Sequence, residues 1–261
     1  MLARSYRKLA LVVEYDGSRY HGFQVQVGVP TIQGNIERAL ARVTGERIRI
    51  TGAGRTDAGV HAKGQVVSFG VLSTMSLQTL VRALNFYLRP DIAVREGREV
   101  DADFSARRDA IGREYRYTIL NRPTPSPLRR RDACFVPQML NSEAMNEASQ
   151  SLVGTHDLAS FATPMKGGTT RIVSKAVVSR IGELLLFDMV ANAFLPRQVR
   201  LTVGCLMRVG LGKLSVERFR EILQAKRPGL AAWAAPAHGL CLVKVNYPEY
   251  KLSRGQLDEN L

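Results

Sequence analysis

Cysteine, histidine and tryptophan are scarce in this chain of 261 residues, which has three, four and one of them. The cysteines (Cys134, Cys205 and Cys241) are far apart and odd in number, which indicates buried thiols in a reducing cytoplasm rather than a disulfide framework. The histidines (His21, His61, His156 and His238) lack the spacing of metal ligands, so the sequence predicts no zinc site.

Long apolar runs are also missing. No stretch of about 18 or more apolar residues occurs, so the sequence predicts no membrane-spanning helix. The basic start, Met1 to Lys8, is followed only by the short apolar run Leu9 to Val13, which Glu14 ends. This pattern predicts a strand and not a signal peptide.

Positive charge, in contrast, is abundant. The chain has 37 basic and 23 acidic residues, a formal net charge of +14, and 29 of its basic residues are arginine. Such a field favours a polyanionic partner: RNA, DNA or an anionic membrane. The arginine bias suits nucleic acid because the guanidinium pairs with phosphate and stacks on bases, although coding bias or heat adaptation explains it equally well.

The charge is densest between residues 107 and 131, which hold eight arginines and two acids. Tyr115 and Tyr117 lie among these arginines, an arrangement that suits stacked bases and held phosphates. In a strand the two tyrosines share one face and Arg116 takes the other. A charged sheet edge that prevents aggregation is the alternative interpretation.

The first half of the chain predicts the element order strand, helix, strand, strand, helix, strand, which is typical of a ferredoxin-like unit. The predicted strands are Lys8–Tyr15, Arg47–Thr51, Gln65–Val71 and Asp91–Arg98, and the helices begin after the caps Thr31 and Ser76 and end at Gly45 and about Tyr87.

The second half is a looser copy of the first. It predicts strands at 113–120, 133–136, 172–180, 183–190 and 240–245, with a hairpin turn at Ile181-Gly182, and helices at 142–154, 196–211 and 215–225. We therefore predict an α+β protein with domains at 1–105 and 106–248 and a polar tail at 249–261.

A glycine-rich segment, Gly54 to Gln65, places Asp57 two residues after Arg55. Glycine permits tight turns and close approach of a ligand, and a neighbouring cation keeps a carboxylate ionised. An ionised, positioned carboxylate can act as a nucleophile, so Asp57 is a candidate catalytic residue. The alternative is an ordinary Asx-turn in a surface loop.

A second candidate segment runs from Ala191 to Pro196 and leads into a helix with Arg197 and Arg200. The start of a helix holds phosphate well. Arg200 has largely apolar neighbours and is expected to face an acid, because a buried guanidinium is costly without an anionic partner. Asp57 is one candidate for that acid, and a local carboxylate is the other.

Several motifs resemble those of the TruA family of tRNA pseudouridine synthases, which act on positions 38, 39 and 40 of the anticodon stem-loop. The motifs are Tyr20-His21-Gly22-Phe23-Gln24-Val25-Gln26, Thr31-Ile32-Gln33, Gly54 to Gln65, Arg113 to Tyr117, Gly154-Thr155-His156-Asp157 with Ser160-Phe161, Ala191 to Phe194, Gly239 to Leu242 and Tyr247-Pro248. They span nearly the whole chain, and their order is that of the family.

The resemblance implies the pseudouridine synthase fold, with two ferredoxin-like α/β halves whose largely antiparallel sheets meet at a central RNA-binding cleft. It also implies a cytoplasmic homodimer that binds tRNA, with no cofactor and no metal. By position, Asp57 corresponds to the family's catalytic aspartate, Arg55 to the arginine of the same motif, Tyr115 to the active-site tyrosine and Arg200 to the arginine that pairs with the aspartate.

Two segments depart from the family pattern. Pro196-Arg197-Gln198 stands where the family commonly has histidines, so Arg197 is a candidate phosphate ligand in their place, and Leu88-Arg89-Pro90-Asp91 has an additional arginine. The run Arg129, Arg130 and Arg131 is a further candidate for tRNA binding.

Two other functions fit parts of the sequence. A non-catalytic RNA-binding protein would use the same basic charge but leaves the Arg55–Asp57 loop unexplained. A hydrolase with an aspartate nucleophile, such as a phosphatase, normally has a cluster of metal-binding acids, and the acids here are scattered.

Overall fold

The computed structural model describes residues 6–252, which fall into two compact units. The first unit contains the chain up to Ile111 and again from Leu242, and the second contains Gly112–Cys241. Within residues 6–252, no helix is both long and apolar enough to cross a membrane. The predicted polar tail lies outside the described residues from position 253 onward.

The strands and helices are named in chain order. The strands are β1 (Arg7–Tyr15), β2 (Thr51–Gly52), β3 (His61–Val71), β4 (Ile92–Val100), β5 (Gly112–Asn121), β6 (Cys134–Val136), β7 (Gly154–Asp157), β8 (Thr170–Ile181), β9 (Leu184–Ala191) and β10 (Leu240–Asn246). The helices are α1 (Ile32–Thr44), α2 (Leu77–Tyr87), α3 (Ser142–Gln150), α4 (Gln198–Gly210), α5 (Val216–Ala225) and α6 (Glu249–Leu252).

In the first unit the strands lie in the order β4-β1-β3-β10, and β2 also pairs with β3. Strand β1 is antiparallel to both β3 and β4, and β2 is antiparallel to β3. The predicted element order is therefore present here, and the α+β class with a largely antiparallel sheet is confirmed.

In the second unit the order is β5-β9-β8-β7, with each of these neighbours antiparallel. The short strand β6 is parallel to β5. Cys134 on β6 and Cys205 on α4 are buried and form no disulfide, as predicted, whereas Cys241 is half-buried.

Helix α1 begins and ends where the sequence predicts. The hydroxyl of Thr31 accepts a hydrogen bond from the backbone N–H of Gly34, which satisfies one of the helix's unpaired donors. Gly45 then adopts a left-handed conformation, with φ of 75°, and ends the helix. The cap Ser76 of α2 is also confirmed, and Ser215, predicted as the first residue of α5, is its N-cap.

Other predicted boundaries are wrong. Strand 47–51 is reduced to the two residues of β2, although Ile48 and Ile50 are buried and so produce the alternating pattern of a strand. Helix α3 ends at Gln150 instead of 154, and α4 begins at Gln198 instead of 196. The hairpin turn is Gly182-Glu183, with Gly182 at φ 58°, one residue later than predicted.

The domain boundaries in the structure also differ from the predicted 105/106 division. The units divide at Ile111, and the chain from Leu242 belongs to the first unit although the prediction placed it in the second. The alternation of apolar residues in β10 identifies a strand but not the sheet that it joins.

Two glycines let the first unit's backbone pack tightly against residues 56–60. A Cβ atom at Gly17 would lie 2.0 Å from the carbonyl oxygen of Val60, and one at Gly22 would lie 2.8 Å from that of Thr56. Gly22 also has φ of +89°, where side chains are strained. Only glycine fits both positions without a shift of the main chain.

We predict that Gly22→Ala lowers stability more than Gly28→Ala. Gly28 has φ of +78° but open space around a Cβ, so alanine there has only the left-handed strain, about 1–2 kcal/mol. At Gly22 the contact with Thr56 adds to that strain. Urea denaturation of the two variants would measure the difference, and equal midpoints would contradict the packing argument.

Candidate active site

In the first unit, Asp57 lies on the loop between β2 and β3. Its side chain is half-buried, whereas that of Arg55 is exposed and Thr56 is buried. The loop closes on itself because the N–H of Val60 donates to the carbonyl of Asp57, at 3.1 Å. It therefore presents the carboxylate from a defined turn, as the sequence predicts.

The segment Tyr20–Phe23 is joined to this loop by backbone hydrogen bonds. The N–H of Phe23 donates to the carbonyl of Thr56 at 3.0 Å, and the N–H of Gly59 donates to that of Tyr20 at 3.3 Å. The close approach at Gly22 lies between these two bonds. The main chain on both sides of Asp57 is thereby fixed, which positions a reacting group before substrate binds.

In the second unit, Tyr115 and Tyr117 lie on the buried face of β5 and Arg116 lies on the exposed face, as predicted. The ring of Tyr115 packs edge-to-face on Phe194, with 4.8 Å between the ring centroids. Tyr117 is fully buried and donates to the carbonyl of Pro236 at 2.8 Å. Burial raises the pKa of the Tyr117 phenol far above its ordinary value, so this hydroxyl stays protonated.

Arg197 precedes α4 in an unusual conformation. It has φ of 61° and ψ of 5°, a left-handed geometry that is strained for a residue with a side chain. Gln198 maintains it, because its backbone N–H donates to the carbonyl of Leu195 and its side-chain Oε1 accepts from the N–H of Leu195, at 3.1 and 2.8 Å. The Arg197 side chain is exposed. Strain of this kind occurs often at functional sites.

Arg200, one turn into α4, is half-buried and tied to a loop. Its Nε donates to the carbonyl of Ala235 at 2.8 Å, and the N–H of Ala235 donates back to the carbonyl of Arg200 at 2.9 Å. The orientation of the guanidinium is therefore set by a backbone carbonyl, a partner that the sequence does not reveal.

Arg129, Arg130 and Arg131 are exposed on the loop between β5 and β6. Arg129 pairs with Asp132 at 3.0 Å, and Arg130 donates to the carbonyl of Pro127 at 3.0 Å. Surface pairs of this kind contribute about 0–1 kcal/mol, so phosphate oxygens can replace them readily.

Three other arginines of the basic segment, between Arg113 and Arg122, bond to groups of the same unit. Arg116 makes a bidentate pair with Asp188 at 2.7 and 2.9 Å, and Arg113 donates to the carbonyl of Asn192 at 2.8 Å. Arg122 bonds to Glu183 and to the carbonyls of Thr124 and Pro125. These three arginines stabilise the unit itself, which the sequence alone does not distinguish.

The predicted site residues thus fall into two groups. Asp57 and Arg55 share one loop of the first unit, and Tyr115, Arg197 and Arg200 belong to the second unit. Sequence reasoning assigned no role to Phe194, although it lies in a quoted motif, or to the buried polar side chains of Tyr15, Thr56 and Gln65, which form hydrogen bonds at the Asp57 loop. Thr56 and Gln65 lie in the quoted motif Gly54 to Gln65, which is the signal that could have identified them.

Comparison with known proteins identifies the family. The family model for tRNA pseudouridine synthase matches residues 11–107 and 148–248. The chain is similar to the protein named tRNA pseudouridine synthase A from Roseiflexus sp. (strain RS-1), with 45% identity over 248 residues, covering 93% of this chain and 92% of that protein.

Two further relatives carry the same name. The protein from Acetivibrio thermocellus is 40% identical over 243 residues, covering 92% of this chain and 100% of that protein. The protein from Legionella pneumophila (strain Corby) is 40% identical over 244 residues, covering 93% of each. The chain therefore belongs to the tRNA pseudouridine synthase family and is an isomerase of that family.

Proposed function

We propose that this protein converts uridine to pseudouridine at positions 38, 39 and 40 in the anticodon stem-loop of tRNA, with Asp57 as the nucleophile. The observation that carries the proposal is the half-buried carboxylate of Asp57, presented by a loop whose main chain is fixed on both sides. The net charge of +14 supports a polyanionic substrate. We further propose that the protein acts in the cytoplasm as a homodimer.

The reaction breaks the N1–C1′ bond of uridine, turns the uracil, and joins C1′ to C5. The C5 proton leaves, and N1 gains a proton, so the atoms balance without an external reactant. Asp57 can attack C6 of the ring, attack C1′, or remove the C2′ proton to give a glycal. Each route requires an ionised carboxylate next to a base that has left its stack.

Residues of both units are assigned to this reaction by residue type and motif. The neighbouring Arg55, or Arg200 by its place in the family motif, is assigned to keep Asp57 ionised and oriented, because a nearby cation favours the carboxylate. Tyr115 stacks on the displaced uracil, and the edge-to-face contact with Phe194 holds its ring for that task. A phenol in its protonated form is a poor base for the C5 proton, so stacking is the preferred role of Tyr115.

The phosphate contacts are assigned to exposed arginines. Arg197 combines an exposed guanidinium with the start of α4, where backbone N–H groups attract anions. Arg129, Arg130 and Arg131 supply three more exposed cations on one loop. These contacts position the tRNA and account for binding, whereas Asp57 accounts for chemistry.

Asp57→Asn should abolish product formation while tRNA affinity falls less than about tenfold, or about 1.4 kcal/mol. The amide keeps the size of the side chain but cannot act as a nucleophile. Tritium release from C5-labelled uridine would be measured in transcripts that keep one of the three target uridines each. Asp103→Asn, which changes an exposed carboxylate of the same unit, is the control.

Appreciable turnover by Asp57→Ala would remove the assignment of Asp57 as the nucleophile. Activity on other uridines only would overturn the proposed positions 38, 39 and 40.

Tyr115→Phe should retain much more activity than Tyr115→Leu, because phenylalanine preserves the aromatic face for stacking. The loss in the leucine variant corresponds to the stacking energy of one base, about 1–3 kcal/mol. Single-turnover rates and melting temperatures of both variants would separate stacking from a loss of packing on Phe194. Equal losses would show that the hydroxyl matters instead of the ring.

Changing Arg129, Arg130 and Arg131 to glutamate should weaken tRNA binding and flatten its dependence on salt, because fewer counterions are released. The control makes the same change at Arg38, Arg42 and Arg49, three exposed arginines of the first unit. Filter binding between about 50 and 200 mM salt gives the slope for each variant. Equal slopes for both triple variants would mean that net charge alone acts and would reject a specific role for the loop.

A further inference from the structure

Three buried polar side chains, one of them within the Asp57 loop, are linked by hydrogen bonds. Tyr15, at the end of β1, is 3% exposed, Thr56 is 6% exposed, and Gln65, on β3, is fully buried. The hydroxyl oxygens of Tyr15 and Thr56 lie 2.8 Å apart. The Nε2 of Gln65 donates to the carbonyl of Gly54 at 2.8 Å and to the Tyr15 hydroxyl at 3.4 Å.

These side chains form hydrogen bonds to the loop at two residues, Gly54 and Thr56. Gly54 and Thr56 lie on either side of Arg55, and Thr56 directly precedes Asp57. Gln65 holds the main chain at Gly54, and Tyr15 holds the side chain at Thr56, whose own carbonyl accepts from Phe23. The loop is therefore held both by the side chains of Tyr15 and Gln65 and by the backbone of Tyr20–Phe23.

The side-chain amide of Gln65 decides which groups donate and which accept in these hydrogen bonds. The Nε2 of Gln65 is a donor only, so the phenol oxygen of Tyr15 accepts from it and the phenol proton is available to Thr56. Among the described residues, no donor reaches the buried Oε1 of Gln65. The polar contribution of this side chain thus comes from Nε2 and is directed at the loop.

We propose that Tyr15 and Gln65 are positioning residues for Asp57, acting through Thr56 and Gly54. This inference rests on the proposed role of Asp57. A loop that turns the carboxylate by a small amount loses the geometry of attack but keeps its tRNA contacts. A displacement of a reacting group by about 1 Å lowers the rate about a hundredfold. Because the tRNA contacts are kept, we expect this loss in kcat and not in KM.

The test uses three variants that remove the polar group of one side chain with little change in shape: Tyr15→Phe, Gln65→Met and Thr56→Val. The first two remove two of these hydrogen bonds each, and the third removes one. Thr56→Ser restores the hydroxyl and serves as the rescue. Ser68→Ala is the matched control, because Ser68 lies on β3 with Gln65, is 1% exposed, and accepts a buried hydrogen bond from the N–H of Ala106 at 3.0 Å.

Two readouts are needed, kcat and KM on tRNA transcripts well below the melting temperature, and hydrogen–deuterium exchange of amides 54–60. The three variants should lower kcat by about ten- to a hundredfold, with KM within about threefold, and accelerate exchange in the loop about tenfold. Thr56→Ser should recover most of the rate. Ser68→Ala should leave kcat within about twofold even where it lowers the melting temperature.

Unchanged kcat and unchanged exchange in Tyr15→Phe and Gln65→Met would overturn the inference, as would an equal loss of kcat in Ser68→Ala. Failure of the proposed function looks different. In that case Asp57→Asn retains wild-type turnover while the loop of the Tyr15 and Gln65 variants still exchanges faster.

Discussion

The fixed main chain around Asp57 is the constraint on which the candidate chemistry depends. A carboxylate on a mobile loop would be solvated and would meet its target only occasionally, whereas a held one has its orientation before substrate arrives. The hydrogen bonds from Phe23 to Thr56 and from Gly59 to Tyr20 provide this restraint, and they bring the backbone at Gly22 too close to the carbonyl of Thr56 for any Cβ. Specificity for glycine at position 22 therefore follows from the same geometry that presents the acid.

The second unit holds its candidate residues by a different device. Arg200 and Tyr117 each donate to a carbonyl of the neighbouring pair Ala235-Pro236, so one short segment orders a helix residue and a strand residue together. Arg197 keeps a left-handed conformation because both the backbone and the side chain of Gln198 bond to Leu195. Asp57 and Arg200 are thus held by backbone atoms that are far from them in sequence, whereas Arg197 is held by its near neighbours.

Features set by local chemistry were the most predictable from sequence. The bounds of helix α1 depend on the hydroxyl of Thr31 and on a left-handed glycine at position 45, and the sequence shows both residue types directly. The sequence overestimates the length of β2, because Ile48 and Ile50 are buried at alternate positions although they do not belong to the strand. The placement of β10 with the first unit, and the carbonyl partner of Arg200, depend on contacts between distant segments, which periodicity and motif spacing do not report.

The arginine-rich segment illustrates why a charge count overstates a binding surface. Arg113, Arg116 and Arg122 are held by a carboxylate or by backbone carbonyls, and the bidentate pair of Arg116 with Asp188 is of the stronger kind. An RNA phosphate must compete with these internal partners. At Arg129 the competitor is one exposed pair with Asp132, which is easily exchanged. Between Arg113 and Arg131, the charge most easily transferred to an RNA phosphate is therefore that of Arg129, on the exposed loop between β5 and β6, even though arginines are spread along the whole segment.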